Sequence, residues 1–375
     1  MPKRAHQSPI AAAPQVQLLA TAAGTRRFSE RWAARFQPDF FRTTRGGIAA
    51  SSIALGTYLG ESDDATDEMY AEALRVALTS GINVIDTAIN YRCQRSERVI
   101  GRVLQELMEE SRIRRDEVVL CTKAGYIPLD GCPPASREEY DAYVTREYRE
   151  SGLVSAAELV AGGHCIAPRF LLDQLHRSMS NLGVQGLDCF YVHNPEAQLA
   201  AISSRELTAR LRLAFETLEA CVQRGEITVY GCATWSGLRL PAGSQGHLSL
   251  YDMVGAARDV AGEAHHLRVI QLPINLTMSE AVRVSTQRDT RGRLVHVTEA
   301  VGELGIDLVA SAPLLQGQLT RGLPVQVLEL FGSSDAQAAI GFVRAVPKVI
   351  SVAVGMKSAE HVTENLAALA VTSGG

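Results

Sequence analysis

The stretch GINVIDTAINYRCQRSERVIG, residues 81–101, decides how this chain is read. A short apolar, β-branched run leads into Asp86, Tyr91 follows five positions later, and RSERVIG (95–101) opens a helical period. A run of this kind suits a strand buried on both faces, and a carboxylate is costly there unless the strand stops at a polar rim. The C-terminal end of a parallel barrel strand is such a rim, and active sites of (β/α)8 barrels are built there from several strands.

The same rhythm extends in both directions. Candidate strands are 48–57, 82–87, 117–123, 187–193, 227–234, 267–275, 306–312 and 348–355, all short apolar runs. Helical periods lie between them. Leu211, Phe215, Leu218 and Val222 fall on one helical face, as do Leu171, Leu175, Met179 and Leu182. In FGSSDAQAAIGFVRA (331–345), Ser and Asp precede an apolar helix as a cap would. Eight strands alternating with helices predict an α/β fold, a closed (β/α)8 TIM barrel. The second choice, a doubly wound open sheet, usually carries a G-x-G-x-x-G turn after its first strand, and this chain has none there.

With 375 residues, 46% hydrophobic, 21% charged and a net charge of −4, the composition is that of an ordinary globular protein. It gives no basic stripe for nucleic acid and no apolar run long enough for a membrane helix. Seven cysteines are scattered without C-x-x-C spacing, which reads as free thiols of a cytoplasmic protein. Cys93, beside the opening motif, is read as an ordinary buried thiol rather than a reactive one. Residues 1–24 read as a flexible tail, 25–45 as an N-terminal extension packing as a short helix, and 46–375 as the barrel. A long insertion, 124–168, follows strand three. The pair His265–His266 reads as surface polar residues.

Three strand ends carry chemistry. Asp86 ends the second strand, with Tyr91 just beyond; Lys123 ends the third and His193 the fourth. A phenol is a poor acid or base near neutrality, and a neighbouring ammonium lowers its pKa. Asp86 can hold Lys123 charged, Tyr91 can exchange a proton with a carbonyl or alcohol oxygen, and His193 can orient that oxygen. Taken singly, each residue has an ordinary reading as a cap, a surface charge or a satisfied polar group.

Residues 46–371 resemble the aldo-keto reductases, NADP(H)-dependent oxidoreductases on a (β/α)8 barrel. The resemblance is carried by GINVIDTAINY…RSERVIG, LCTKAG (120–125) and LDCFYVHNPE (187–196). It implies that Asp86, Tyr91, Lys123 and His193 are the catalytic tetrad, with Tyr91 the general acid/base. The strand-five ending resembles the family's nicotinamide contact, with Ala233 and Thr234 where Ser and Asn are usual. Gln271 stands at the carboxamide-binding glutamine, and Ser311 at a position commonly held by a stacking aromatic. VAVGMKSAEHVTENLAAL (352–369) resembles the phosphate and adenine site. It implies Lys357 and Ser358 at the 2′-phosphate and Glu364 and Asn365 at adenine, with His361 in place of an arginine. That replacement leaves NAD(H) admissible beside NADP(H).

The insertion is expected to cover part of the barrel mouth, with Tyr126, Tyr148 and His164 as candidate substrate contacts. No ligand set surrounds His164–Cys165, so no metal is expected. The function read from these residues is reduction of a small-molecule aldehyde or ketone to an alcohol, or the reverse, without nucleic-acid or membrane partners. The alternative is a cofactor-binding sensor with little catalysis; a barrel lyase or isomerase ranks third.

Overall fold

The computed structural model describes residues 19–160 and 162–371. Eight parallel strands form a closed barrel in sequence order. They are β1 (Ile53–Gly56), β2 (Val84–Asp86), β3 (Val119–Ala124), β4 (Leu187–His193), β5 (Ile227–Ala233), β6 (Leu267–Pro273), β7 (Asp307–Ser311) and β8 (Val349–Gly355). All eight coincide with predicted runs, and the open-sheet alternative falls. Each strand is followed by an outer helix. In order these are α1 (Asp64–Leu78), α2 (Arg95–Glu109), α3 (Pro168–Leu182), α4 (Ser204–Gln223), α5 (Leu250–Ala261), α6 (Val297–Leu304), α7 (Asp335–Arg344) and α8 (Ala359–Ala367).

The two-residue period of the strands sorts side chains between two cores. Ile85, Leu120, Phe190, Val192, Ile270 and Leu308 face the helices in one large cluster. Val84, Cys121, Cys189, Tyr191, Ala233 and Val269 fill the barrel itself. Continuing the inward row one step toward the C-terminal end reaches Asp86 after Val84, Lys123 after Cys121, His193 after Tyr191 and Gln271 after Val269. The polar residues are therefore the top layer of the barrel interior.

Gly101 of the opening motif lies where α2 meets the end of α3. A Cβ there would stand 2.6 Å from the Asn181 carbonyl oxygen, so only glycine lets the helices approach this closely.

Three expectations change here. Residues 48–57 are not one strand. Ala49–Ser51 pairs antiparallel with Phe41–Thr43, and the chain turns at Ser51–Ser52 before β1. Side chains enforce that turn: Asn83 Oδ1 accepts from Ser51 N (2.8 Å), and Arg344 Nε donates to Ser52 Oγ (2.9 Å). The N-terminal extension is thus a helix, Ala22–Trp32, plus a hairpin arm. Of the expected tail, residues 1–18 lie outside the described residues. Residues 19–24 do not behave as a tail, because Ala20 N donates to Asp188 Oδ1 (2.6 Å) and Thr21 caps the helix. Third, His265 is buried, and the ring of His266 pairs with Glu219 at 2.7 Å. Glu219 also accepts from the Tyr230 hydroxyl.

Asp188 ties the extension to the barrel floor. It accepts from Ala20 N, from Leu120 N (2.7 Å) and from the Arg115 guanidinium (3.0 Å). Asp188→Ala strands two buried backbone donors and removes the carboxylate from the Arg115 guanidinium, which keeps only its bonds to the Val118 and Gly186 carbonyls, a loss of about 3–5 kcal/mol. Urea unfolding should show it, with Asp188→Asn, which keeps acceptor oxygen, losing less.

Candidate active site

A cavity of about 830 Å³ opens at the C-terminal end of the barrel. That lies within the roughly 300–1,000 Å³ of small-molecule and cofactor sites. Asp86, Tyr91, His193, Thr234, Gln271, Ser311, Lys357, His361, Glu364 and Asn365 line it.

The tetrad assembles beneath and around this cavity. Lys123 does not line it but lies fully buried below, donating to Asp86 Oδ2 (2.7 Å) and to the Thr87 carbonyl (2.7 Å). Its ammonium stands 5.2 Å from the Tyr91 ring centre and 5.8 Å from that of Tyr191, a buried residue of the barrel interior. The Tyr91 and His193 rings meet edge to face at 6.0 Å. Gln271 Nε2 donates to the second oxygen of Asp86 (2.8 Å), a bond the sequence did not suggest.

Electrostatics follow from this burial. Burial opposes the Lys123 charge, yet Asp86 and Tyr91 more than offset it and its pKa lies above the usual lysine value. For Tyr91, burial outweighs the pull of Lys123, so the phenol titrates above its ordinary range. Lys123 thus moderates the phenol without bringing it below that range, a correction to the sequence argument. Burial, then Lys123 and His164, holds His193 neutral, with its pKa well below the ordinary histidine value. Its Nδ1 is buried without a partner among the described residues.

His164 is fully buried behind His193 rather than in the cavity. Its Nε2 donates to the His193 carbonyl (2.7 Å), and its Nδ1 accepts from Gln198 (2.8 Å). Gly125 allows this contact, since a Cβ there would stand 2.4 Å from the same carbonyl oxygen. Tyr148 is also buried away from the mouth. It packs on Phe170 of α3 and donates to the Pro128 carbonyl (3.3 Å). The insertion therefore lies against the outside of α3, and of its described residues only Tyr126 lines the cavity. Ser358 is absent from the lining; it is the N-cap of α8, accepting from His361 N. Burial pushes the Cys93 thiol up, so it is no activated nucleophile.

The cavity also holds residues that motif reading passed over: Tyr58, Asn90, Asn194 and Trp235. Three of them adjoin residues already singled out, Asn90 before Tyr91, Asn194 after His193 and Trp235 after Thr234. Adjacency to a strand-end residue was the available signal.

The model of the aldo/keto reductase family matches residues 52–240, half of the chain. The chain belongs to the aldo/keto reductase family. Over 80 residues it is 41% identical to aldo-keto reductase YhdN of Bacillus subtilis (strain 168), a match spanning 20% of this chain and 23% of that protein. Over 362 residues it is 23% identical to L-glyceraldehyde 3-phosphate reductase of Escherichia coli (strain K12), covering 87% of this chain and 86% of the relative. Two solved aldo-keto reductase structures share the fold. One, from Klebsiella pneumoniae in complex with NADP and acetate, is 20% identical with a TM-score of 0.57, covering 90% of this chain and 92% of that one. The other, AKR11C1 from Bacillus halodurans in its holo form, is 17% identical with a TM-score of 0.58, covering 88% and 91%.

Burial depresses the His164 pKa in this reductase to about 4. A histidine depressed on folding stabilises the native state above its unfolded pKa, and that stability drains as pH falls through 6.5 toward 4. Between pH 7 and 5 this one site should cost about 2 kcal/mol. His164→Gln should shrink the acid-side loss by about that amount in denaturant titrations at the two pH values.

Proposed function

We propose that this reductase interconverts a carbonyl compound and its alcohol with NADP(H), Tyr91 serving as general acid/base. The observation that carries the reading is the buried Lys123–Asp86 pair at 2.7 Å beneath a tyrosine that shares a cavity with a neutral histidine. A protonated phenol at neutral pH is the form that reduction needs. Lys123, already bonded to Asp86 and Thr87, has a third N–H with which to stabilise the phenolate left after proton donation. The neutral imidazole of His193 donates to the same carbonyl oxygen and so fixes its position.

The cavity suits a dinucleotide in size and in the character of its two ends. Lys357 and Asn365 line the arc after β8, where the start of α8 offers backbone N–H groups to a phosphate. Thr234 and Gln271 are the polar groups for the nicotinamide amide; Ala233 and Ser311 add neither a second amide partner nor a stacking ring. When bound, the nicotinamide supplies a hydride to the carbonyl carbon or takes one from the alcohol carbon. NADP(H) bound to the Klebsiella pneumoniae structures, and the holo form of AKR11C1, support the choice of cofactor. The sparse nicotinamide contacts favour one other reading, a cofactor sensor. Tight NADPH binding without oxidation across a broad carbonyl panel would select it.

Tyr91→Phe should keep NADPH affinity, followed by nucleotide fluorescence, while turnover falls about 10²–10⁴-fold. Turnover like that of the wild type would refute the assignment. Lys357→Ala should weaken NADPH about tenfold, the scale of one charge-assisted hydrogen bond, and leave NADH nearly unchanged in the same titration.

A further inference from the structure

We infer that Glu196 is a positioning residue of this reductase, holding the loop after β5 so that Trp235 stands as a fixed aromatic wall of the cavity in which the carbonyl is reduced. This rests on the carbonyl reductase reading and names what shapes that site.

The first observation is a set of hydrogen bonds. Glu196 lies in the 3-10 turn Pro195–Ala200, just beyond His193. One of its carboxylate oxygens, Oε1, accepts from three successive backbone N–H groups, those of Trp235 (2.6 Å), Ser236 (2.9 Å) and Gly237 (3.2 Å). Its Oε2 is buried with no partner among the described residues, so the hydrogen bonding of the carboxylate is given to this loop. Gly237 admits the approach, since a Cβ there would stand 3.1 Å from the Cβ of Glu196 and 2.6 Å from Leu248 Cδ1. The Trp235 carbonyl is held as well. It accepts from Arg239 (3.0 Å), whose guanidinium forks onto Glu280 at 3.1 and 3.0 Å.

The second observation is the ring this backbone carries. Trp235 lines the cavity and is 41% exposed. A backbone pinned at both its N–H and its carbonyl, under an indole left uncovered, presents an aromatic face to a ligand in advance of binding; a tryptophan that served packing would be covered. Thr234 is held independently, its N donating to the Gln271 carbonyl (2.8 Å). Loss of the Glu196 carboxylate therefore loosens Trp235 more than the group proposed for the nicotinamide amide. The same segment steadies a second wall. Asn194 N donates to the Ala233 carbonyl (2.6 Å), and Asn194 Nδ2 to the hydroxyl of Tyr126 (3.2 Å), whose ring meets that of His193 edge to face at 5.4 Å.

The test uses the full chain in a Trp32→Phe background, which leaves Trp235 as its one tryptophan. Glu196→Ala, Glu196→Gln, Trp235→Ala and the Glu196→Ala/Trp235→Ala pair are compared by NADPH titration, by kcat and KM for 4-nitrobenzaldehyde and, where Trp235 is kept, by the anisotropy decay of its fluorescence. Glu196→Ala should release fast ring motion and raise KM about tenfold, with NADPH affinity changed less than about threefold. In Glu196→Gln the amide oxygen can take the same N–H groups and the NH₂ replaces an oxygen that makes no bond, so the ring should stay fixed and KM rise far less. The double variant should be no worse than Trp235→Ala, because the effect runs through that ring. Where Glu196→Ala does not fold, Glu196→Asp, a shorter carboxylate, takes its place in each comparison. Additive losses in KM, an unchanged anisotropy decay, or an equal loss from Glu196→Gln would each overturn the inference while leaving carbonyl reduction standing. So would a wild type that reduces propionaldehyde but not 4-nitrobenzaldehyde. Turnover of no aldehyde by a wild type that binds NADPH would overturn the parent reading, and this one with it.

Discussion

The site depends on one constraint: an ammonium and a carboxylate, Lys123 and Asp86, held together out of water at the top of a barrel. Neither charge is tolerable there alone, and removing one partner from such a pair costs about 3–5 kcal/mol. Their union requires β2 and β3 to be adjacent and parallel and both side chains to face inward, which the register of Asp86 with Cys121 provides. It also requires the remaining lone pairs and protons to be satisfied. Thr87 takes one lysine proton and Gln271 gives one to the carboxylate, so the pair is coupled to strands β2, β3 and β6 at once.

Tyr91 sits on a segment that would not hold its shape unaided. Arg92, Cys93 and Gln94 have φ of 49°, 55° and 68°, three consecutive left-handed residues without a glycine. Each costs roughly 1–2 kcal/mol, so surrounding bonds must over-determine the turn. Arg92 is fixed on the Glu61 carbonyl and Asp67, Gln94 donates to the Leu129 carbonyl, and Gly131 N donates to the Cys93 carbonyl. Next in sequence, Glu97 is fully buried and accepts from Thr122 (2.6 Å) and Asn181 (2.9 Å). The RSERVIG portion of the motif thus works as scaffold: Glu97 and Gly101 lock α2 against β3 and α3, and the locked helix anchors the strained turn bearing the tyrosine.

This division explains what the sequence disclosed. Strand period and apolar content specify which residues face inward, and the last inward residue of each strand is where Asp86, Lys123 and His193 were sought and found. Contacts between a side chain and a distant backbone leave no periodic trace. The turn at Ser51–Ser52 depends on Asn83 and Arg344, far along the chain. The place of the insertion depends on Tyr148 packing on Phe170, which its tyrosine-rich composition suggests only as some contact. His164 looked like a ligand-facing histidine because polarity alone cannot separate a cavity wall from a satisfied group behind it. Ser358 was assigned to a phosphate by resemblance, and its hydroxyl accepts from His361 N as the N-cap of α8.

Gln271 shows how cofactor site and proton site can share a residue without competing. An amide has two N–H donors and a carbonyl acceptor, and only one donor is committed to Asp86. Its carbonyl oxygen and second N–H stay free for a carboxamide, so on the proposed reading a nicotinamide can bind without breaking the bond that steadies Asp86. That matters more here than it would beside a Ser-Asn pair. With Ala233 contributing no hydrogen bond, Gln271 and Thr234 would on that reading carry the recognition between them, and an error in the position of one amide would be felt both at the nicotinamide and, through Asp86, at Lys123.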